Sequence, residues 1–201
     1  MVYLKSYDSP AVNEREILRY MGADKGSEEL FPLLQDCLRE IEGRLTYRVC
    51  YREFDISFGD GVIDLGFAVT DSKALAKNLA GCKKIVLFAA TVGVEMDRLI
   101  ARYSSNSPAR AVMLQAIGNE RVESLCNIFN KEIADRCVSD GERTRPRFSP
   151  GYGDLPLTIQ TDIFASLDCT RKIGLTLNQS LFMSPSKSVT AIIGIAEKTE
   201  S

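Results

Sequence analysis

The sequence predicts an α+β fold, an antiparallel twisted sheet with flanking helices, and three features carry that prediction. Segments with helical apolar spacing occur in mixed order with segments of period-two or compact apolar character. Two pairs of the latter are joined by hairpin-like turn chemistry. No fixed-period repeat or low-complexity linker divides the 201 residues, so the chain reads as one domain over 1–201, with room for an N-terminal helical appendage over 1–45.

Ser9-Pro10 opens the first predicted helix, which Gly22 closes. Ser27, Glu28 and Glu29 place a cap and acidic residues at the start of the second. Its Leu30, Leu33, Leu34, Cys37, Leu38 and Ile41 share an inward face. Alternation over Tyr47–Ser57 and again over Val62–Val69, parted by Gly59-Asp60-Gly61, predicts a β-hairpin. Asp71-Ser72 caps a short helix ending near Gly81, and Lys84–Ala90 reads as a buried strand. Gly93–Ser104 reads as a helix with Leu99, Ile100 and Tyr103 on one side. Ser107-Pro108 starts the longest helix, to about Val138, with Val112, Ala116, Val122, Leu125, Phe129 and Ile133 as its buried stripe. A helix over Thr158–Leu167 follows. A second hairpin is expected to pair Leu175–Met183 with Ser188–Ile195 across Ser184-Pro185-Ser186-Lys187.

Composition narrows function. A net charge of −2, with no basic cluster longer than Lys83-Lys84, provides no field for a phosphate backbone or an anionic membrane surface. The apolar run Ile85–Val94 is about half the ~20 residues that a spanning helix needs. With no apolar signal region in Met1–Pro10, the expected setting is the cytoplasm, without nucleic-acid or membrane partners. Six cysteines, none in a C-x-x-C pair, read as reduced, buried thiols. The absence of histidine removes the usual general base, the Ser-His and Cys-His pairs and the commonest metal ligand. Chemistry in this chain runs without imidazole.

Among candidate sites, Gly59-Asp60-Gly61 lacks the third glycine and the strand-to-helix setting of a dinucleotide fingerprint. The loop "RFSPGYGDLPL" (147–157) is more informative. Pro146, Pro150 and Pro156 restrict its backbone, and Gly151 and Gly153 permit tight turns. On it Arg147 offers a planar fork for a carboxylate and Tyr152 an aromatic face with a hydroxyl tip. The bland alternative is a turn-rich connection with both side chains lying on the surface. Glu123 flanks the stripe of the long helix, where it could face a ligand's ammonium or hydroxyls, or simply pair with Arg121 or Lys131.

These residues carry a family resemblance. Arg147 followed by Gly151-Tyr152, then Leu167-Asp168, then Gly174-Leu175 and Leu177, and then Met183, Pro185, Ser188 and Val189 stand in the order seen in the activation domain of cobalamin-dependent methionine synthase. That module binds S-adenosylmethionine. The helix "AIGNERVESL" is similar to the family's helix with a ligand-contacting glutamate, which maps to Glu123; an acidic residue near the loop maps, one position displaced, to Glu142. Ser149 stands where the family carries a small alanine.

The resemblance implies a role in reactivation. In the family, a flavodoxin or similar electron donor reduces inactive cob(II)alamin, and the methyl group of S-adenosylmethionine traps the product as methylcobalamin. By carry-over Arg147 binds the methionyl carboxylate, backbone near Ser149 and Gly151 contacts the ligand, Tyr152 lines the pocket beside the sulfonium, and Glu123 complements its positive or hydroxyl-bearing part. Reduced corrinoid is itself the nucleophile, which suits a site without a general base. The expected partner is a cobalamin-binding methionine synthase or corrinoid protein, served by this chain as a free-standing subunit. The alternatives are reactivation of another corrinoid methyltransferase, or, given the short tail, a non-catalytic module that binds a corrinoid protein and has lost the ligand.

Overall fold

The computed structural model describes residues 1–22 and 28–197. Strand β1 (Tyr3–Tyr7) leads through an extended stretch to helix α1 (Glu14–Tyr20). This helix starts at Glu14, not at Pro10: Asn13 is the cap, its Oδ1 accepting from Glu16 N at 3.2 Å. The cause is the buried Arg121, whose guanidinium donates to the Pro10 and Ala11 carbonyls at 2.7 and 2.9 Å and so takes acceptors that a helix there would use. A 3-10 turn, Glu28–Leu30, precedes α2 (Phe31–Ile41), which buries Leu34, Cys37 and Ile41 as its spacing predicts. The expected cap, Ser27, lies outside the described residues.

Strand β2 (Tyr47–Asp55) is followed by β3 (Ser57–Gly59) and β4 (Val62–Asp64), and the hairpin is shorter than expected: only Ser57–Gly59 pairs with Val62–Asp64, while Tyr47–Asp55 lies between the first strand and Cys82–Thr91, where its buried residues are covered. Asp60 and Gly61 both have positive φ in the hairpin's turn, the signature of the tight primed turns. The run expected to reach Val69 breaks where Gly66 N donates to Asp64 Oδ1 at 2.8 Å, and β5 (Val69–Thr70) resumes beside β4. Ser72 caps α3 (Lys73–Asn78) by accepting from Leu75 N at 3.1 Å. Then come β6 (Cys82–Thr91), α4 (Glu95–Tyr103) and the 32-residue α5 (Pro108–Ser139). The stripe predicted for α5 is buried except for Val112, 53% exposed; Met113, Leu114 and Ile117 turn inward instead, towards the helices on that side.

The chain continues through β7 (Glu142–Thr144), α6 (Gln160–Leu167), α7 (Cys169–Ile173), β8 (Thr176–Leu177), β9 (Met183–Ser184) and β10 (Ser188–Glu197). The second hairpin differs from expectation. Thr176–Leu177 pairs with Met183–Ser184, and Ser188 onward leaves them to enter the main sheet. Two forces explain it. Asn178 Oδ1 accepts from Ser180 N and Phe182 N, both at 2.9 Å, and closes a turn earlier than Ser184-Pro185. The run Ala191–Ala196 is buried on both faces, which only a central position satisfies.

The main sheet is antiparallel in the order β1-β2-β6-β10-β7. On one face Val86, Phe88, Ile193 and Ile195 pack against Leu125, Phe129 and Ile133 of α5. On the other, Ile85, Leu87 and Ile192 meet Leu75, Leu79, Ile163 and Leu167 of α3 and α6. A third cluster joins α1, α2 and α4 to the N-terminal half of α5 through Ile17, Leu34, Met96, Leu99 and Ile117. All six cysteines are buried and free. Among the described residues no helix is long and apolar enough to cross a membrane.

Candidate functional site

β7 pairs with only the far part of β10, leaving the edge of β10 near Ile192 to the loop at 147–157. Phe148 occupies that edge: its N–H donates to Ile192 O at 2.8 Å and its carbonyl accepts from Ile192 N at 2.9 Å. Its ring is buried with Leu155 in the core, so the loop is anchored from inside. Gly151 N donates to Leu155 O at 2.9 Å, and Tyr152 N to Ser149 O at 3.2 Å, folding the segment on itself. Gly153 has φ of +59° and passes so close to α3 that a Cβ there would stand 2.9 Å from that of Ala74. Only glycine fits both demands.

Asp154 fastens the other end. Its carboxylate accepts from the Ser72 hydroxyl and from Lys73 N and Ala74 N at 2.8 and 3.1 Å, completing the cap of α3. The Ser72 hydrogen bond, with the two backbone donors, holds the Asp154 carboxyl below the usual carboxylate range. A depressed folded value means this brace contributes fully above the unfolded value of about 4 and is lost as pH falls through the lower folded one. Asp154→Ala is therefore expected to lower the urea midpoint at neutral pH by an amount that shrinks on acidification below about pH 4. Denaturation curves at several pH values check this; a pH-independent gap would contradict it.

On this braced loop Arg147 reaches α5. Nη2 donates to Glu123 Oε2 in a close ion pair, and Nη1 to Asn127 Oδ1 at 3.3 Å. The Arg147 side chain is 22% exposed and that of Glu123 37%, so both stay open to a ligand. The structure thus joins two residues that the sequence separates by 24 positions. Tyr152 stands 69% exposed, its ring edge-on to Phe148 at 5.3 Å. Ser149 is half-buried, its carbonyl used by the loop. Glu142 is not brought to this group: it lies opposite Glu197, five residues along β10 from Ile192, about 16 Å at strand rise.

Two neighbours were missed by sequence reasoning. Asn127 lies one helical turn from Glu123, a spacing that could have revealed it. Tyr20, at the end of α1, has its phenol pushed up first by burial and next by the Glu123 carboxylate, with Arg147 acting in the opposite sense. No local pattern at Tyr20 points to α5; only the packing of α1 does. Arg147, Glu123 and Asn127 thus bring a guanidinium, a carboxylate and a carboxamide to one loop-and-helix junction suited to a small zwitterion, while the exposed ring of Tyr152 stands against Phe148 on the same loop.

Comparison with known proteins agrees with this architecture. The chain aligns with the reactivation domain of MetH, solved with AdoHcy bound, at 17% identity and a TM-score of 0.70, over 100% of this chain and 80% of that one. At that identity the likeness establishes the fold. No curated protein sequence matches. The family described as vitamin B12 dependent methionine synthase, activation domain, matches residues 69–200, a span that takes in α5, the braced loop and β10, and the chain belongs to that family.

Proposed function

We propose that this chain binds S-adenosylmethionine at the Arg147–Glu123 junction and presents it to a partner-held corrinoid, supporting the reductive methylation that returns cob(II)alamin of a methionine synthase to use. The observation that carries the reading is the meeting of Arg147 with Glu123 on a loop fixed from both ends. The ligand's head group carries a carboxylate and an ammonium, the same two charges that this pair already places in contact. A ligand that exchanges one ion pair for two loses little orientation freedom, because the loop has already been ordered.

The residues divide the work by position. Arg147 takes the carboxylate through its planar fork, Glu123 the ammonium or a hydroxyl, the backbone around Ser149 and Gly151 forms the floor, and Tyr152 supplies an exposed ring to cover the sulfonium. When bound, the ligand supplies the methyl group, and the corrinoid, reduced by a flavodoxin-like or other donor, supplies the electron pair. The chain contributes placement, which is where the rate advantage of such a transfer lies. The AdoHcy named with the MetH reactivation domain is the product-like counterpart of this ligand, which favours the same reading.

Titration calorimetry of the purified chain with S-adenosylmethionine is the test. Saturable binding in the micromolar range is expected, since charged hydrogen bonds of this kind each contribute roughly 1.5–3 kcal/mol. No heat up to millimolar ligand would discard the proposal.

A further inference from the structure

Strand β1 forms one edge of the main sheet, and the register shows which of its backbone groups that edge leaves open. Ile56 N donates to Lys83 O at 3.0 Å, in line with the β2–β6 pairing, so the even-numbered residues of β2 turn their N–H and C=O groups to β6. Tyr47, Val49 and Tyr51 therefore turn theirs to β1, where they meet Tyr7, Lys5 and Tyr3. Leu4 and Ser6 are left with backbone donors and acceptors that face outward, and Val2 continues the row. Among the described residues nothing pairs with them.

This edge carries little of what usually keeps strands from adding to one another. β1 runs without proline or bulge, its pairing with β2 unbroken from Tyr3 to Tyr7. Leu4 is 52% exposed and Tyr3 48%. Lys5 is the one charge within the strand, and it is neutralised by Glu132 of α5, which also accepts from the Tyr7 hydroxyl at 2.6 Å. The opposite side of the sheet differs: there β10 is covered by the three-residue β7 and by Phe148.

We propose that the open edge of β1 is a homodimer interface, at which a second copy of this chain adds its own β1 antiparallel about a two-fold axis at Leu4. A strand that meets its own copy in this way offers each free N–H a free C=O, because both copies turn the same residues outward. Side chains fix the register. With the axis at Leu4, that residue stands opposite the partner's Leu4 on one face of the sheet, and Val2 opposite the partner's Ser6. On the other face Tyr3 stands opposite the partner's Lys5 in a pair of the closer kind, which puts an ammonium beside an aromatic ring. An axis at Lys5 would set two lysines against each other, and one at Tyr3 would leave Ser6 without a partner. Two five-stranded sheets thereby join edge to edge. The two 147–157 loops, each at the far side of its own sheet, then stand about 40 Å apart along the strands' stacking direction, so each keeps its own approach.

Sedimentation velocity of the full chain over a range of concentrations tests this. A species of twice the chain mass is expected, in reversible exchange with monomer at micromolar concentrations. Leu4→Pro removes an outward N–H and none of the bonds to β2, so it is expected to weaken the dimer at least ten-fold and leave the far-ultraviolet dichroism unchanged. Leu4→Lys keeps the backbone and sets like charges across the axis; the same loss is expected, partly reversed by added salt. Amide hydrogen exchange reads the interface without any substitution: the Leu4 and Ser6 amides are expected to exchange more slowly as concentration rises. A monomer at every concentration overturns the proposal. So does a dimer undiminished in both variants, or exchange at Leu4 and Ser6 that ignores concentration.

Discussion

Arg147→Ala is expected to weaken S-adenosylmethionine binding ten- to a hundred-fold, roughly the 1.5–3 kcal/mol carried by a charge-assisted hydrogen bond. The substitution leaves Phe148 on β10 and Asp154 on α3, so the loop keeps its shape and the loss reads the guanidinium itself. An unchanged melting temperature beside weakened binding is the expected pair of results. A variant that binds as tightly as the wild type would remove Arg147 from the site. Arg147→Lys separates charge from fork: a lysine restores the positive charge but not the two parallel donors, so partial recovery is expected.

The largest expected stability effect lies elsewhere on α5. Arg121 is 1% exposed and Glu120 2%, and they pair at 2.5 Å. Around them every group is used: Arg121 holds the Pro10 and Ala11 carbonyls, while Glu120 accepts from Asn13 N at 3.1 Å and from the Ser124 hydroxyl at 2.6 Å. Arg121→Met would strand a buried carboxylate and two carbonyls together. Removing one partner of a buried pair costs about 3–5 kcal/mol, which for a domain of this length lowers the melting temperature by about 6–20 °C. Thermal or urea denaturation checks the magnitude. Replacing Glu120 as well should not restore stability, because the Pro10 and Ala11 carbonyls and the Asn13 amide would still lack partners; full rescue would show that the ion pair alone carries the effect.

This same network shows where the sequence stops being readable. Ser9-Pro10 has sound local chemistry for a helix start, and a residue 111 positions away overrides it. Likewise Ser184-Pro185-Ser186-Lys187 reads as a turn between paired strands, yet Ser186 is tied to Asp97 of α4 and Lys187 to Asn119 of α5 at 2.8 Å. In both cases a distant side chain outcompetes a local preference. Where local and tertiary demands agree, as along α5, at the Asp60-Gly61 turn and at the Ser72 cap, the sequence predicts the element. The site follows the same division. As candidates, Arg147, Gly151, Tyr152 and Glu123 are picked out by residue type, spacing and the family resemblance. The fastening of the loop through Asp154 and Phe148, the approach of Tyr20 and the distance of Glu142 depend on which strand lies beside which, and no local window contains that information.

β10 pairs on both sides although it follows every other described element in the chain. During vectorial synthesis β6 therefore waits with one flank of Ile85–Ala90 unpaired until residues 188–197 emerge, and the anchorage of Phe148 waits with it. The nascent chain thus passes through a stage with an open, sticky flank that invites wrong pairing, and sheet closure and fastening of the 147–157 loop become a single late event.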